Sequence, residues 1–109
     1  MILALSYGAR EEILDGVRSV IRSVQQGSLD PATLSPEDFS RHLYTSPYPD
    51  PDLMVRTSGE MRLSNFLLWQ SAYTELVFLD VLWPEFSRAD LEAVISEFSR
   101  RERRFGATG

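Results

Sequence analysis

The sequence predicts an α/β protein, a parallel sheet flanked by helices, and three observations carry that prediction. Short apolar runs recur along the chain: "ILALSY" at 2–7, "LMVRT" at 53–57 and "ELVFLDVLW" at 75–83. Among and after them lie segments whose apolar residues repeat at helical spacing. Capping and turn residues stand where those segments start and stop. Strand, helix, helix, strand, helix, strand, helix is the alternation of a parallel sheet with crossover helices.

The elements follow in order. "ILALSY" is nearly all apolar, as expected of a strand buried on both faces. In "GAREEILDGVRSVIRSVQQG", Ile13, Leu14, Val17, Val20, Ile21 and Val24 fall at helical spacing, with Gly27 as the stop. Gly16 is a poor residue for the interior of that helix. Ser35 as N-cap, Pro36 at the first helical position and acids in the first turn predict a second helix start. "TSPYPDPD" at 45–52 has prolines at alternate positions and must be an extended loop. "LMVRT" is then a short buried strand that ends at Ser58-Gly59. "SNFLLWQSAY" follows as a buried helix that Ser64 could cap, and "ELVFLDVLW" as a third strand before Pro84. Ser87 and Asp90 form a capping-box variant ahead of Leu91, Val94, Ile95 and Phe98.

Composition narrows the function classes. The 109 residues make one modest domain, 1–109, with the 43% hydrophobic and 25% charged residues of an ordinary globular chain. A net charge of −5 argues against a broad basic face for nucleic acid. No apolar run is long enough to span a bilayer, and the apolar start lacks the basic flank of a signal peptide. Cysteine is absent, which excludes disulfides and thiolate chemistry and fits a cytoplasmic setting. All eleven basic residues are arginine, which a GC-rich coding sequence accounts for without a functional reason. Their positions say more than their number.

Two of them flank the end of the second strand, in "RTSGEMRLSNFLLWQ" at 56–70. Parallel sheets bind ligands at the carboxyl ends of their strands, where Arg56, Thr57 and Ser58 fall. Arg56 and Arg62 can each present a fork of donors to phosphate oxygens. Ser58 and Gly59 allow a tight turn with exposed backbone amides, and Ser64 at a helix start adds an anion-friendly N-terminus. Two arginines suit a diphosphate better than a carboxylate. A P-loop pattern is absent. These residues alone leave a second reading open, in which Arg56 caps a strand end and Arg62 pairs with Glu60 on the surface.

The order of residues in "PDLMVRTSGEMRLSNFLLWQSAYTELVFLDVLWPEF" resembles the carboxyl-terminal signature of the cis-prenyltransferases, typified by undecaprenyl diphosphate synthase. The resemblance extends upstream through "LALSYGAREEI" and downstream through "RRERRFG", so it covers nearly the whole chain. It implies a transferase that condenses isopentenyl diphosphate onto an allylic prenyl diphosphate to make a cis-polyprenyl diphosphate, with Mg²⁺ as cofactor. By resemblance, Arg56, Arg62 and Ser64 match the positions that hold the diphosphate of isopentenyl diphosphate. Glu75, in "YTEL", matches a glutamate that helps to organise Mg²⁺. "RFG" at 104–106 is similar to a terminal Arg-x-Gly that reaches across a dimer, with Arg104 as the contact. No residue is assigned to catalysis itself. Phe66, Leu67, Leu68 and Trp69 are expected in core and dimer interface, and Trp83-Pro84 at a strand end.

Departures from the pattern are Ser58, where many members carry glycine, and Met61, where histidine is frequent. The single histidine, His42, is expected on a helix in "FSRHLY", at the surface or its boundary, and matches no motif. Family enzymes are much longer, and their amino-terminal half carries an "MDGNGRWA"-like segment for the allylic diphosphate. No "DGN" occurs here. The chain is therefore expected to be the carboxyl-terminal part of a single prenyltransferase domain, incomplete relative to the full fold and inactive alone. A homodimer, or a heteromer with a chain that carries the missing half, is the expected assembly, at most peripheral to a membrane. Two competing expectations are a non-catalytic partner subunit or scaffold that lends Arg104, and a stand-alone phosphate-binding module.

Overall fold

The computed structural model describes residues 1–108, with side chains through Arg101. The chain forms two compact units: Met1–Asp50 with Leu63–Ala72, and Pro51–Arg62 with Tyr73–Gly109.

The first unit is built on α1, Ala9–Gln25. Glu11 and Glu12 in its first turn and Arg22 in its last complement the helix dipole. Gly27, at φ 76°, ends it in the left-handed region that favours glycine. The buried residues of α1 are Ala9, Glu12 and Gly16, a stripe at helical spacing. The more apolar line of Leu14, Val17 and Ile21 is exposed. Gly16 has a packing reason: a Cβ there would stand 3.1 Å from both the Leu43 Cδ2 and the Phe39 Cζ atoms. Phe39 lies on α2, Pro36–Ser40, which opens with the expected capping box. The Asp38 N–H donates to Ser35 Oγ at 3.1 Å and the Ser35 N–H to Asp38 Oδ2 at 3.1 Å. Phe39 meets Trp69 edge-on at 4.8 Å, and the Trp69 indole donates to Ser40 Oγ at 3.0 Å. His42 follows α2 rather than lying on it, half-buried and 2.8 Å from Ser19 Oγ.

Two expected elements are absent from this unit. Residues 2–7 form no strand, and Ile2, Leu3 and Leu5 are exposed. A strand exists only through a neighbour's hydrogen bonds, and none of the described residues pairs with this segment. Residues 64–73 form successive turns instead of a helix, because Ser64, Asn65 and Leu67 all have positive φ (51°, 62° and 47°). Phe66, Leu68 and Trp69 consequently sit partly exposed, with Leu67 half-buried, instead of filling a core.

The second unit holds the sheet. Strand β1, Leu53–Arg56, pairs in parallel with β2, Glu75–Phe78, in the register Leu53↔Glu75 to Arg56↔Phe78. All eight residues are half-buried. Among the described residues the sheet has two strands where three were expected, and β2 covers only the first four residues of the 75–83 run. The last helix, α3, Arg88–Thr108, starts at the expected Ser87–Asp90 box, with Asp90 N–H to Ser87 Oγ at 3.2 Å. Val94 is its buried apolar residue among those described. Trp83 is exposed and stacks on Phe86 at 5.6 Å. Among the described residues no helix is long and apolar enough to cross a membrane.

Candidate functional site

The carboxyl end of β1 runs directly into the loop that carries both arginines. Consecutive left-handed residues, Ser58 at φ 67° and Gly59 at φ 69°, turn the chain there. The turn is hydrogen-bonded back to the irregular segment that follows β2: Ser58 N–H to the Val81 carbonyl and Gly59 N–H to the Leu79 carbonyl, both at 2.8 Å. The two amides are therefore engaged, which corrects the expectation that they face a ligand. Arg56 closes the loop by donating from Nη1 to the Arg62 carbonyl oxygen at 2.7 Å. The Arg62 guanidinium pairs with Glu60 at 3.2 Å, with its own side chain 75% exposed.

Both contacts are those of the second reading of the sequence, yet they leave the chemistry open. A guanidinium has five N–H donors. Arg56 uses one of them on the loop, and the Arg62–Glu60 pair is solvent-screened and worth under about 1 kcal/mol. Ser64 belongs to the first unit, while Arg56 and Arg62 belong to the second. Ser64 is exposed and begins no helix, so it offers its hydroxyl and not a helix N-terminus.

Glu75 starts β2 opposite Leu53, at the end of the sheet away from the Arg56–Phe78 pair. Its carboxylate lies 3.5 Å from Arg101 Nη1, which also approaches the Leu76 carbonyl at 3.4 Å. Arg101 is held in turn by Glu97 at 3.2 Å, and hydrogen bonds from Arg100, then from Arg101, keep the Glu97 carboxyl below its usual range. Among the described residues no group of three His, Cys, Asp or Glu side chains gathers to hold a metal. One carboxylate already paired with arginine does not make a Mg²⁺ site by itself. Arg104 lies on α3, and its side chain is outside the described residues.

Two organising residues were missed in the sequence. Glu12 is 1% exposed, and three donors converge on it. Tyr7 Oη and Gln70 Nε2 (3.0 Å) donate to Oε1, and the Tyr44 N–H donates to Oε2 at 2.8 Å. Burial, then the bond to Glu12, pushes the Tyr7 phenol well above its ordinary value. The available signal was a carboxylate in step with Ala9 and Gly16, on the face that helical spacing sets apart from Leu14, Val17 and Ile21. The other residue is Asn65, whose backbone and side chain both receive the first amides of α1. Its only local signal was an Asn beside a Ser.

The comparisons agree with one another. The profile of the undecaprenyl diphosphate synthase family, a prenyltransferase family, matches residues 1–106. An isoprenyl transferase of Brucella abortus is 56% identical over 106 residues, which cover 97% of this chain and 42% of the relative. The tritrans,polycis-undecaprenyl-diphosphate synthase (geranylgeranyl-diphosphate specific) of Methanopyrus kandleri is 54% identical, across 95% of this chain and 38% of its own length. Among solved structures, lavandulyl diphosphate synthase from Lavandula x intermedia, crystallised with dimethylallyl diphosphate, superposes with a TM-score of 0.84 at 41% identity. That match covers 89% of this chain and 42% of the synthase. A probable undecaprenyl diphosphate synthase from Campylobacter jejuni gives a TM-score of 0.74 at 39% identity, over 95% of this chain and 46% of that one. The chain thus spans about two fifths of the length of the curated relatives it matches, and it belongs to the undecaprenyl diphosphate synthase family of prenyltransferases.

Proposed function

We propose that this chain supplies the isopentenyl diphosphate clamp of a cis-prenyltransferase that condenses isopentenyl diphosphate onto an allylic prenyl diphosphate. The observation that supports the reading is the loop 56–62, in which the Arg56 guanidinium bonds to the Arg62 backbone carbonyl, so that two arginines border one loop at a strand's carboxyl end. Two forks there match the two phosphates of a diphosphate head. Ser64 joins them by resemblance to the family. In the reaction the allylic C–O bond breaks and its electron pair leaves with diphosphate. The isopentenyl alkene then bonds to the allylic carbon, and a proton is lost. The clamp's part is to fix the alkene-bearing substrate so that this attack is effectively intramolecular.

The other parts of the reaction are assigned outside these residues. Mg²⁺ is the cofactor expected of the family, and when bound it takes up charge developing on diphosphate. Glu75 would be this chain's contribution to it, insufficient alone. The allylic site is likewise expected elsewhere, so the 109 residues should not turn over unaided. The exposed line of Leu14, Val17 and Ile21 supports association with a second copy or a partner chain, in a cytoplasmic setting at most peripheral to a membrane. Arg104 would serve a neighbouring subunit. A non-catalytic partner role stays as the second reading, favoured by the pairing of Glu75 with Arg101.

Calorimetric titration of isopentenyl diphosphate into this chain with Mg²⁺, repeated with Arg62→Ala and Arg56→Ala, tests the proposal. Loss of one charge-assisted contact is expected to weaken binding by roughly tenfold or more in each variant. Binding unchanged by both substitutions, or no binding by a folded chain, would refute the clamp.

A further inference from the structure

We infer that Asn65 is a positioning residue that sets Ser64 by acting as the N-terminal cap of α1 from a distant part of the chain. The inference rests on the reading of Ser64 as a diphosphate contact and deepens it. The residue before the helix, Gly8, has no side chain with which to cap. Asn65 takes over that work twice. Its backbone carbonyl accepts the Ala9 N–H at 2.8 Å, and its Oδ1 accepts the Arg10 N–H at 2.9 Å. These are the first two amides of α1, which otherwise have no partner within the helix. Its Nδ2 reaches the Glu11 carboxylate at 3.4 Å. Gly8 leaves room for this approach, since a Cβ there would stand 2.9 Å from Asn65 Nδ2.

The cap dictates backbone as well as side chain. Asn65 sits at φ 62° and Ser64 at φ 51°, in a region that an L-residue enters at a cost of roughly 1–2 kcal/mol. Asparagine tolerates that region better than most residues, and its bonds to α1 are what hold it there. Ser64 is its immediate neighbour, so the same two bonds bear on the left-handed backbone of Ser64 and hence on the direction in which its Cβ leaves the chain. Without them the segment is released to ordinary backbone angles, and Ser64 turns with it.

The test uses Asn65→Ala, compared by NMR and by calorimetry with the unaltered chain. The Arg10 amide, which loses its Oδ1 acceptor, should lose exchange protection more than Ala9, whose acceptor is the retained backbone carbonyl of residue 65, and Ser64 should shift from a left-handed to an ordinary backbone coupling. Isopentenyl diphosphate binding should weaken by about five- to tenfold, the effect of one misplaced hydrogen bond. Asn65→Asp in a Glu11→Gln background keeps the Oδ1 acceptor and removes the repulsion from Glu11, so it should restore both signals; a merely destabilising change would not be rescued this way. Unchanged Ser64 coupling in Asn65→Ala, or unchanged affinity beside a clear Arg62→Ala loss, would overturn the inference. If no form of the chain binds the ligand, the clamp reading fails, while the NMR comparison still decides whether Asn65 sets Ser64.

Discussion

Glu12→Ala should unfold the first unit more readily than any surface substitution, and the size of the effect follows from the atoms around it. Three donors point at the Glu12 carboxylate: the Tyr7 hydroxyl, the Tyr44 N–H and the Gln70 amide. Removing a buried acceptor costs about 1–3 kcal/mol for each donor left unpaired. Gln70 keeps Thr45 Oγ1 as a second partner, Tyr7 is only half-buried and Tyr44 is exposed, so the low end applies. The sum is about 3 kcal/mol, a melting temperature lower by roughly 12–24 °C for a unit of this size. Glu12→Gln should cost about a third as much, on the order of 1 kcal/mol. Its oxygen can stay with the Tyr44 N–H. Its NH₂ can face the Tyr7 hydroxyl, which can accept, and a flipped Gln70, whose Oε1 now has no partner. The assay is urea unfolding followed by Trp69 fluorescence in a Trp83→Phe background, since Trp69 lies in the first unit and Trp83 in the second. A loss below about 1 kcal/mol for Glu12→Ala, or equal losses for Ala and Gln, would refute the argument from bond count.

Three further outcomes are expected. Because the folded Tyr7 value is raised above its ordinary 10.0, the stability Tyr7 contributes is whole below that value and lost as pH rises through the raised one. Melting temperature should therefore fall from about pH 9 upward, and Tyr7→Phe should flatten the dependence. Gly16→Ala gains up to about 1 kcal/mol of helix propensity but crowds Leu43 and Phe39 at 3.1 Å; since overpacking costs about 1–3 kcal/mol, Trp69-monitored unfolding should show net destabilisation. Ser58→Gly relieves a left-handed serine and should stabilise the second unit by about 0.5–1 kcal/mol, read from Trp83 fluorescence during unfolding.

The parts of the fold that were legible in the sequence are those fixed by neighbours along the chain. Ser35 with Asp38, Ser87 with Asp90 and Gly27 each act within a few residues, and all three act as expected. The strands at 53–56 and 75–78 were also legible, as short apolar runs bounded by turn residues. What failed depended on distant partners. "SNFLLWQSAY" has the composition of a buried helix, but the capping atom for the first amides of α1 is Asn65, more than fifty residues away in the chain. Once Asn65 is committed there, the left-handed turn at 64–67 follows and a helix cannot. "ILALSY" failed for a related reason: an apolar run specifies a strand only where another strand receives it. At the candidate site, the residue types were legible and their engagement was not. Nothing in "TSGE" shows that the Ser58 and Gly59 amides belong to Val81 and Leu79.

For the proposed clamp, that engagement explains why arginine suits the loop. A phosphate cradle of the usual kind presents free backbone amides to its anion. Here the turn's amides bond to the carbonyls of Leu79 and Val81 beyond β2, so in the proposed clamp recognition of charge falls to side chains. In the proposed clamp Arg56 would hold the loop shut at the Arg62 carbonyl and still have donors left for a ligand. A planar guanidinium does both, because its N–H groups point in several fixed directions. An ammonium concentrates its donors on one nitrogen and, once turned to the carbonyl, presents no second fork. Arg62 would complete that clamp: its bond to Glu60 is exposed and screened, so a dianion bound there would displace it at little cost. The contacts that make the loop look structural are therefore compatible with the proposed clamp, since they tie Arg56 to the Arg62 backbone and leave both guanidinium groups with donors to spare.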